Sequence, residues 1–157
     1  MAHLYHATVA WRLPPGADFA RGRYSRGHVW RFDGGTEVEA SASPQVVPAA
    51  YAPAGAVDPE EAFVASLSSC HMLTFLDLAR RDGFVVEAYE DSAEGRMEKS
   101  AQGRLWVSLI TLKPRIDFSG EKRPGPGDLA RLHDAAHDLC FIANSIKTEI
   151  RVEPTPA

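Results

Sequence analysis

A chain of 157 residues is long enough for one domain with a sizeable core, and 45% apolar with 24% charged residues excludes wholesale disorder. Seventeen Lys and Arg against 21 Asp and Glu leave a net charge of -4, so the basic field required for sequence-independent nucleic-acid binding is missing. No apolar run approaches the ~20 residues of a membrane span. The first residues, Met1 to His6, lack the basic and apolar regions of a secretory signal. Two cysteines, Cys70 and Cys140, are too few for a secreted disulfide scaffold. The expectation is a cytoplasmic protein with reduced thiols, partnered by neither nucleic acid nor membrane.

The chain reads as a single domain over 1–157 that opens with a strand-rich arm over 1–43. Residues 4–12 alternate as a strand until Pro14-Pro15-Gly16. His28 to Phe32 is a short aromatic strand, Asp33-Gly34-Gly35 a hairpin turn, and Thr36 to Ala42 a strand with Val38 and Ala40 on one face. Prolines 44, 48, 53 and 59 mark an irregular covering loop. Asp58-Pro59-Glu60-Glu61 then starts a central helix over 58–82, with Asp58 as cap, Glu61 completing a capping box and Gly83 as the stop. Phe63, Val64, Leu67, Cys70, His71, Thr74, Phe75 and Leu78 recur along it at helical spacing. Such a helix is ~36 Å long, so it must be a central element wrapped by sheet or by a partner. Strands over 84–118 form a meander of two or three. A second helix covers 128–140, starting at Asp128, and a last strand covers 146–153.

Taken alone, each cysteine reads as a buried structural thiol, since free Cys packs like a small hydrophobe. Taken as a pair, both lie on the apolar side of a helix. They would suit a peroxidatic and resolving couple if their Cα atoms come within ~7 Å. His133 and His137 at i and i+4, with Cys140 three further on, have metal-ligand spacing. The His-Glu-x-x-His form is absent, however, and two histidines on a polar helix face are expected to be solvated. Arg21, Arg23 and Arg26 cluster before the second strand. One of them folded over a thiol would lower its pKa. Hydrolase, nucleotide-triphosphatase and dinucleotide signatures are missing.

The run Pro59-Glu60-Glu61-Ala62-Phe63-Val64-Ala65-Ser66-Leu67-Ser68-Ser69-Cys70 resembles the helix of the OsmC/Ohr family of thiol-dependent peroxidases, including the ten-residue step from Glu60 to Cys70. Cys140-Phe141-Ile142-Ala143-Asn144-Ser145 is similar to the family's second-cysteine segment, with Phe141 in place of its usual proline. The resemblance implies an α+β fold with two antiparallel sheets, a long central helix and a second shorter one, in an intertwined homodimer with shared active sites. It implies that Cys70 reduces organic hydroperoxides, becomes a sulfenic acid and condenses with Cys140 to a disulfide. An external dithiol, with the lipoyl type among the candidates, reopens that disulfide, and no cofactor is needed. Carried over residue by residue, Glu60 is the helix-start glutamate and Arg26 the site arginine, with Arg23 as the alternative. Preferred peroxide and reductant stay open.

The chemistry agrees with these residue types. A mid-helix thiol has no helix N-terminus to ionise it and needs a cation. Arginine stays charged when partly buried, and a glutamate can hold it in a bidentate pair. Phe63, Leu67, Leu73 and Phe75 would favour organic peroxides if they line the entrance. Ten residues of straight helix rise ~15 Å, so Glu60 serves Cys70 most simply across a dimer. Two other readings stand beside this one: a non-catalytic small-molecule-binding or stress protein on the same fold, and a metal protein using His133, His137 and Cys140.

Overall fold

The computed structural model describes residues 2–155. The chain divides into two compact units, Met1–Ala62 and Phe63–Ala157, built from the helices and sheets of an α+β protein.

In the first unit, β1 (Ala7–Ala10), β2 (His28–Phe32) and β3 (Glu37–Ala40) form an antiparallel sheet in that order. The β2–β3 turn is the expected hairpin: the Gly35 N–H donates to Phe32 O and the Phe32 N–H to Thr36 O, both at 3.0 Å. Gly35 sits at φ +84°, where a side chain would be strained. Strand β1 is shorter than the 4–12 run suggested. Trp11 leaves the sheet, donates its indole N–H to Ser25 O at 2.9 Å and packs among Phe19 and Tyr24. In β3 the alternation holds, with Ala40 buried and Glu37 and Glu39 exposed. The Pro-rich segment is irregular except for one 3-10 turn, Ala49–Tyr51.

Helix α1 (Pro59–Arg81) begins at the capping box. Asp58 Oδ1 accepts the Glu61 N–H at 2.7 Å, and Glu61 Oε2 accepts the Asp58 N–H at 3.2 Å. It ends on Gly83 at φ +79°, with the Gly83 N–H donating to Arg80 O and the Phe84 N–H to Ala79 O. Leu67, His71, Phe75 and Ala79 are its buried stripe, one residue per turn. A window of this helix has mean hydropathy 1.4, long and apolar enough by composition to cross a membrane, because serines and a histidine interrupt its apolar run without making it polar. Its buried stripe packs instead into the core of the second unit.

The second unit holds four strands where two or three were expected over 84–118. β4 (Val85–Asp91) pairs antiparallel with β7 (Pro114–Ser119), and β6 (Leu105–Leu112) lies between β5 (Glu94–Lys99) and β8 (Glu149–Val152). The apolar run from 105 to 118 breaks at Lys113, whose N–H turns aside to donate to Asp91 Oδ1 at 2.6 Å. β6 and β7 therefore belong to different sheets. β6 and β8 run parallel, which needs a crossover, and the chain through β7 and α2 (Pro126–Leu139) supplies it. α2 starts two residues before Asp128, with Pro126 in its first turn and Asp128 Oδ2 accepting the Gly125 N–H at 3.0 Å.

Two apolar clusters fill this unit. Phe75, Ala79, Phe84, Ile116, Leu132 and Ala136 form one. Leu67, Ile110, Leu112 and Cys140 form the other, with Phe63, Val64 and Cys70 packed against it. Gly95 on β5 lets α1 lie close: a Cβ there would stand 2.6 Å from Val64 Cγ2. Gly95→Ala should therefore destabilise the protein by roughly 1–3 kcal/mol through overpacking. Adding Val64→Ala should recover part of that loss, and urea unfolding of the single and double variants checks it. Two additive losses would show that the contact is not the cause.

Candidate active site

Cys70 lies midway along α1, half-buried, at the border of the second cluster. The helix is continuous through Ser66, Ser68 and Ser69. The nearby hydroxyls turn back on it, with Ser66 Oγ donating to Phe63 O and Thr74 Oγ1 to Cys70 O, both at 2.9 Å. Ser68 Oγ instead donates to Asp91 Oδ2 at 2.5 Å, and Asp91 thereby ties α1 to the β6–β7 break.

Cys140 is where α2 stops. Its backbone turns to the extended region (φ -69°, ψ 115°), and its side chain is 0% exposed. A 3-10 turn, Ala143–Ser145, follows at once. The Ala143 N–H donates to Cys140 Sγ at 3.4 Å. Asn144 locks the turn: its N–H and its Nδ2 both donate to Cys140 O at 3.0 Å, and Nδ2 also reaches Asp138 O at 2.7 Å. Phe141, which stands where the resembled segment has proline, is 79% exposed and takes no part in this packing.

The two sequence-predicted cysteines thus pack in one apolar cluster, both as free thiols. Burial pushes the Cys140 thiol up to about 11. The Cys70 sulfur beside it adds to that rise, and the N–H groups of Ala143 and Ile142 oppose it. In such a couple the half-exposed Cys70 is the sulfur that solvent can reach, while Cys140 stays protonated behind it. Of the apolar residues expected near the entrance, Leu67 and Phe63 are in this cluster, Phe75 fills the other, and Leu73 is 61% exposed.

The two other predicted site residues lie in the first unit. Arg26 folds over its own loop: Nη1 donates to Gly22 O at 2.9 Å and Tyr24 O at 2.5 Å, and its guanidinium carbon lies 3.8 Å from the Tyr24 ring centroid. That leaves Nε and Nη2 without a partner among the described residues. Arg23 pairs through its backbone with Asp18, and Arg21 forms an ion pair with the Asp18 carboxylate. Glu60 stands in the first turn of α1, and among the described residues no ion pair joins it to Arg26. An open cleft of about 570 Å³ in the same unit is walled by small residues of the Pro-rich segment. Its charged residues, Asp58 and Glu61, are already committed to the α1 cap.

His133 overturns the expectation of a solvated histidine. It is 5% exposed, and its Nδ1 lies 3.1 Å from Nε2 of His71, itself 1% exposed, with the two rings stacked at 9°. Phe75 covers His133 at 4.6 Å between centroids. This arrangement turns Nδ1 of His133 to His71 instead of joining it to His137 and Cys140. Among the described residues no group of three or more His, Cys, Asp or Glu is placed to hold a metal ion. The pair was readable in principle, because His71 falls on the Leu67–Phe75–Ala79 stripe and His133 beside Leu132 and Ala136.

An OsmC-like protein family matches residues 52–155. An OsmC-like protein of unknown function from Vibrio cholerae is 44% identical, with TM-score 0.96 over 98% of this chain and 100% of that one. Organic hydroperoxide resistance proteins from Elizabethkingia anophelis and Legionella pneumophila share the fold. The first is 18% identical with TM-score 0.68 over 100% of this chain and 99% of its own. The second is 16% identical with TM-score 0.66 over 99% of both. No curated protein matches the chain.

Burial holds both paired imidazoles down at about 4, below their ordinary 6.5. They are neutral in the folded protein, while the unfolded chain takes up protons once pH falls through 6.5. The stability they allow above pH 6.5 should therefore fall continuously down to about pH 4, by at most ~3 kcal/mol for each. The urea midpoint should already drop between pH 6.5 and 5, before most carboxylates titrate. In a His71→Leu/His133→Leu variant that drop should flatten, and an equal drop in both proteins would exclude the pair as its source.

Proposed function

The chain belongs to the OsmC-like family, and we propose that it is a thiol-dependent peroxidase that reduces organic hydroperoxides. The observation that carries this reading is the meeting of a half-exposed Cys70 with a buried Cys140 in one apolar cluster. The names of two neighbours of the same fold, organic hydroperoxide resistance proteins, point the same way. In the first step the Cys70 thiolate attacks the terminal peroxide oxygen and the O–O bond breaks. With one proton from solvent, the products are a Cys70 sulfenic acid and an alcohol. In the second, the Cys140 thiol displaces the sulfenic oxygen, giving the Cys70–Cys140 disulfide and water. An external dithiol, with a lipoyl-type compound among the candidates, takes up the two oxidising equivalents. This suits a reducing, cytoplasmic setting.

Arg26 is the cation in this reading. Its Nη1 bonds anchor the guanidinium, and its Nε and Nη2 edge is free for an anionic oxygen or a carboxylate. Glu60 supplies that carboxylate from a second copy of the chain. The need for a second copy is supported by α1 itself: only 22% of its most apolar window is buried in one chain. A non-catalytic member of the same fold would keep both cysteines but show no reactive thiol.

Cys70→Ser should abolish consumption of cumene hydroperoxide, since an alcohol supplies no thiolate at neutral pH. Cys140→Ser should consume about one peroxide per subunit and stall as sulfenic or sulfinic acid, while the oxidised wild type yields a Cys70–Cys140 disulfide by mass spectrometry. Turnover by Cys70→Ser, or no such disulfide, would defeat the cycle. For the shared site, Glu60→Ala and Cys70→Ser chains should each be impaired alone and recover activity when mixed, because the heterodimer keeps one intact site. A monomer by light scattering, or no recovery, would remove the shared site.

A further inference from the structure

The paired imidazoles are a buried polar tie between α1 and α2. His71 Nε2 and His133 Nδ1 lie 3.1 Å apart, both rings are enclosed, and Phe75 covers His133. Cys140 follows His133 by about two turns, so the two residues sit on one face of α2. Past His137 the helix has little other hold. From Asp138 to Phe141 only Cys140 is buried, with Leu139 55% exposed and Phe141 79%. The Asn144 amide bonds to Asp138 O and Cys140 O, which joins the following turn to the helix end as one piece. Whatever loosens α2 from α1 at His133 therefore loosens the cover of Cys140.

We propose that the pair is an acid-sensitive latch: protonation of His71 and His133 opens the seam between α1 and α2 and uncovers Cys140. While the seam is closed, the two rings share one proton, and a further one has to enter an enclosed site as charge. Once it opens, each ring meets water and takes up a proton as an ordinary imidazole does. The groups that face the pair do not replace that water. From α2, Asp134 faces His133 and His137 faces His71, and from β4 Asp91 faces His133 while Tyr89 packs against Phe75. The two carboxylates favour charge on His133, but Asp91 is already taken by Ser68 Oγ and the Lys113 N–H. His137 disfavours charge on His71, and burial dominates at both rings, holding each at about 4. The closed seam is therefore favoured above pH 6.5, and falling pH drives it open, continuously down to about pH 4. The latch keeps Cys140 in the cluster it shares with Cys70 near neutral pH and releases it in acid.

The test reads the cover of Cys140 directly. Cys70→Ser leaves Cys140 as the only thiol of the chain, so no disulfide can form within it. Its reaction with 4,4′-dithiodipyridine, which modifies thiols at acid pH, is followed from pH 7 to pH 5. At each pH the rate is divided by that of the same protein unfolded in urea. The ratio should rise about tenfold or more from pH 7 to pH 5, because each ring freed to protonate favours the open seam. With His71→Leu/His133→Leu added, the ratio should stay flat. At pH 5 the latched protein should also respond to low urea less steeply than global unfolding does, since a local opening exposes less surface. A ratio that does not rise in the latched protein overturns the proposal, whether or not the leucine variant folds. So does an equal rise in the leucine variant, or a urea response as steep as that of global unfolding, which traces the exposure to the whole chain. No hydroperoxide enters this assay, so the latch stands apart from the peroxidase reading. Cumene hydroperoxide consumption by the wild type at pH 7 is measured alongside, and its absence sinks that reading and leaves the latch standing.

Discussion

The enclosure of Cys140 is the constraint on which the site depends. A thiol with no exposed surface cannot shed its proton cheaply, so Cys140 stays protonated, and Cys70 is the sulfur of the two that reaches solvent. In the proposed cycle that asymmetry suits Cys70 to attack and Cys140 to resolve. Everything that holds Cys140 in place works toward it. α2 ends at that residue, and its backbone turns extended at once. The Asn144 amide then clamps the following turn by bonding two carbonyls. The Phe141 ring, at the position where a proline would stiffen the segment, is left in solvent, so the stiffness comes from Asn144 instead.

The histidine pair is a second buried polar unit, and it opposes stability where the thiol pair does not. Two imidazoles packed face to face under Phe75 can share only one proton between Nε2 of His71 and Nδ1 of His133, and any further proton puts a charge into dry surroundings. Leucine at both positions would fill the same stripe with no such penalty. A satisfied buried polar pair does, however, fix which turn of α2 lies against which turn of α1, since only one register brings the two nitrogens together.

Much of this was legible in the sequence, for reasons that are local. The capping box at Asp58 and Glu61, the stop at Gly83 and the turn at Gly35 each depend on a few neighbouring residues, and each formed as read. The stripe on α1 was visible as spacing, and the two cysteines stood out because each ended or centred such a stripe. The misreadings all involve partners distant in the chain. The break at Lys113 depends on Asp91 taking its N–H, which no alternation pattern records. The burial of His133 depends on His71, 62 residues away.

Cys70 and His71 are adjacent in the chain, yet they serve different clusters. Successive helical residues point about 100° apart, so one turns toward Cys140 and the other toward His133. Leu67 lies one turn before this pair and belongs to the dithiol cluster. Phe75 lies one turn after it and belongs to the other. The helix therefore passes from one core cluster to the next at Cys70 and His71. Both clusters clamp it there, with Ser68 bound to Asp91 on the remaining side. The helix cannot roll toward either cluster without breaking contacts in the other.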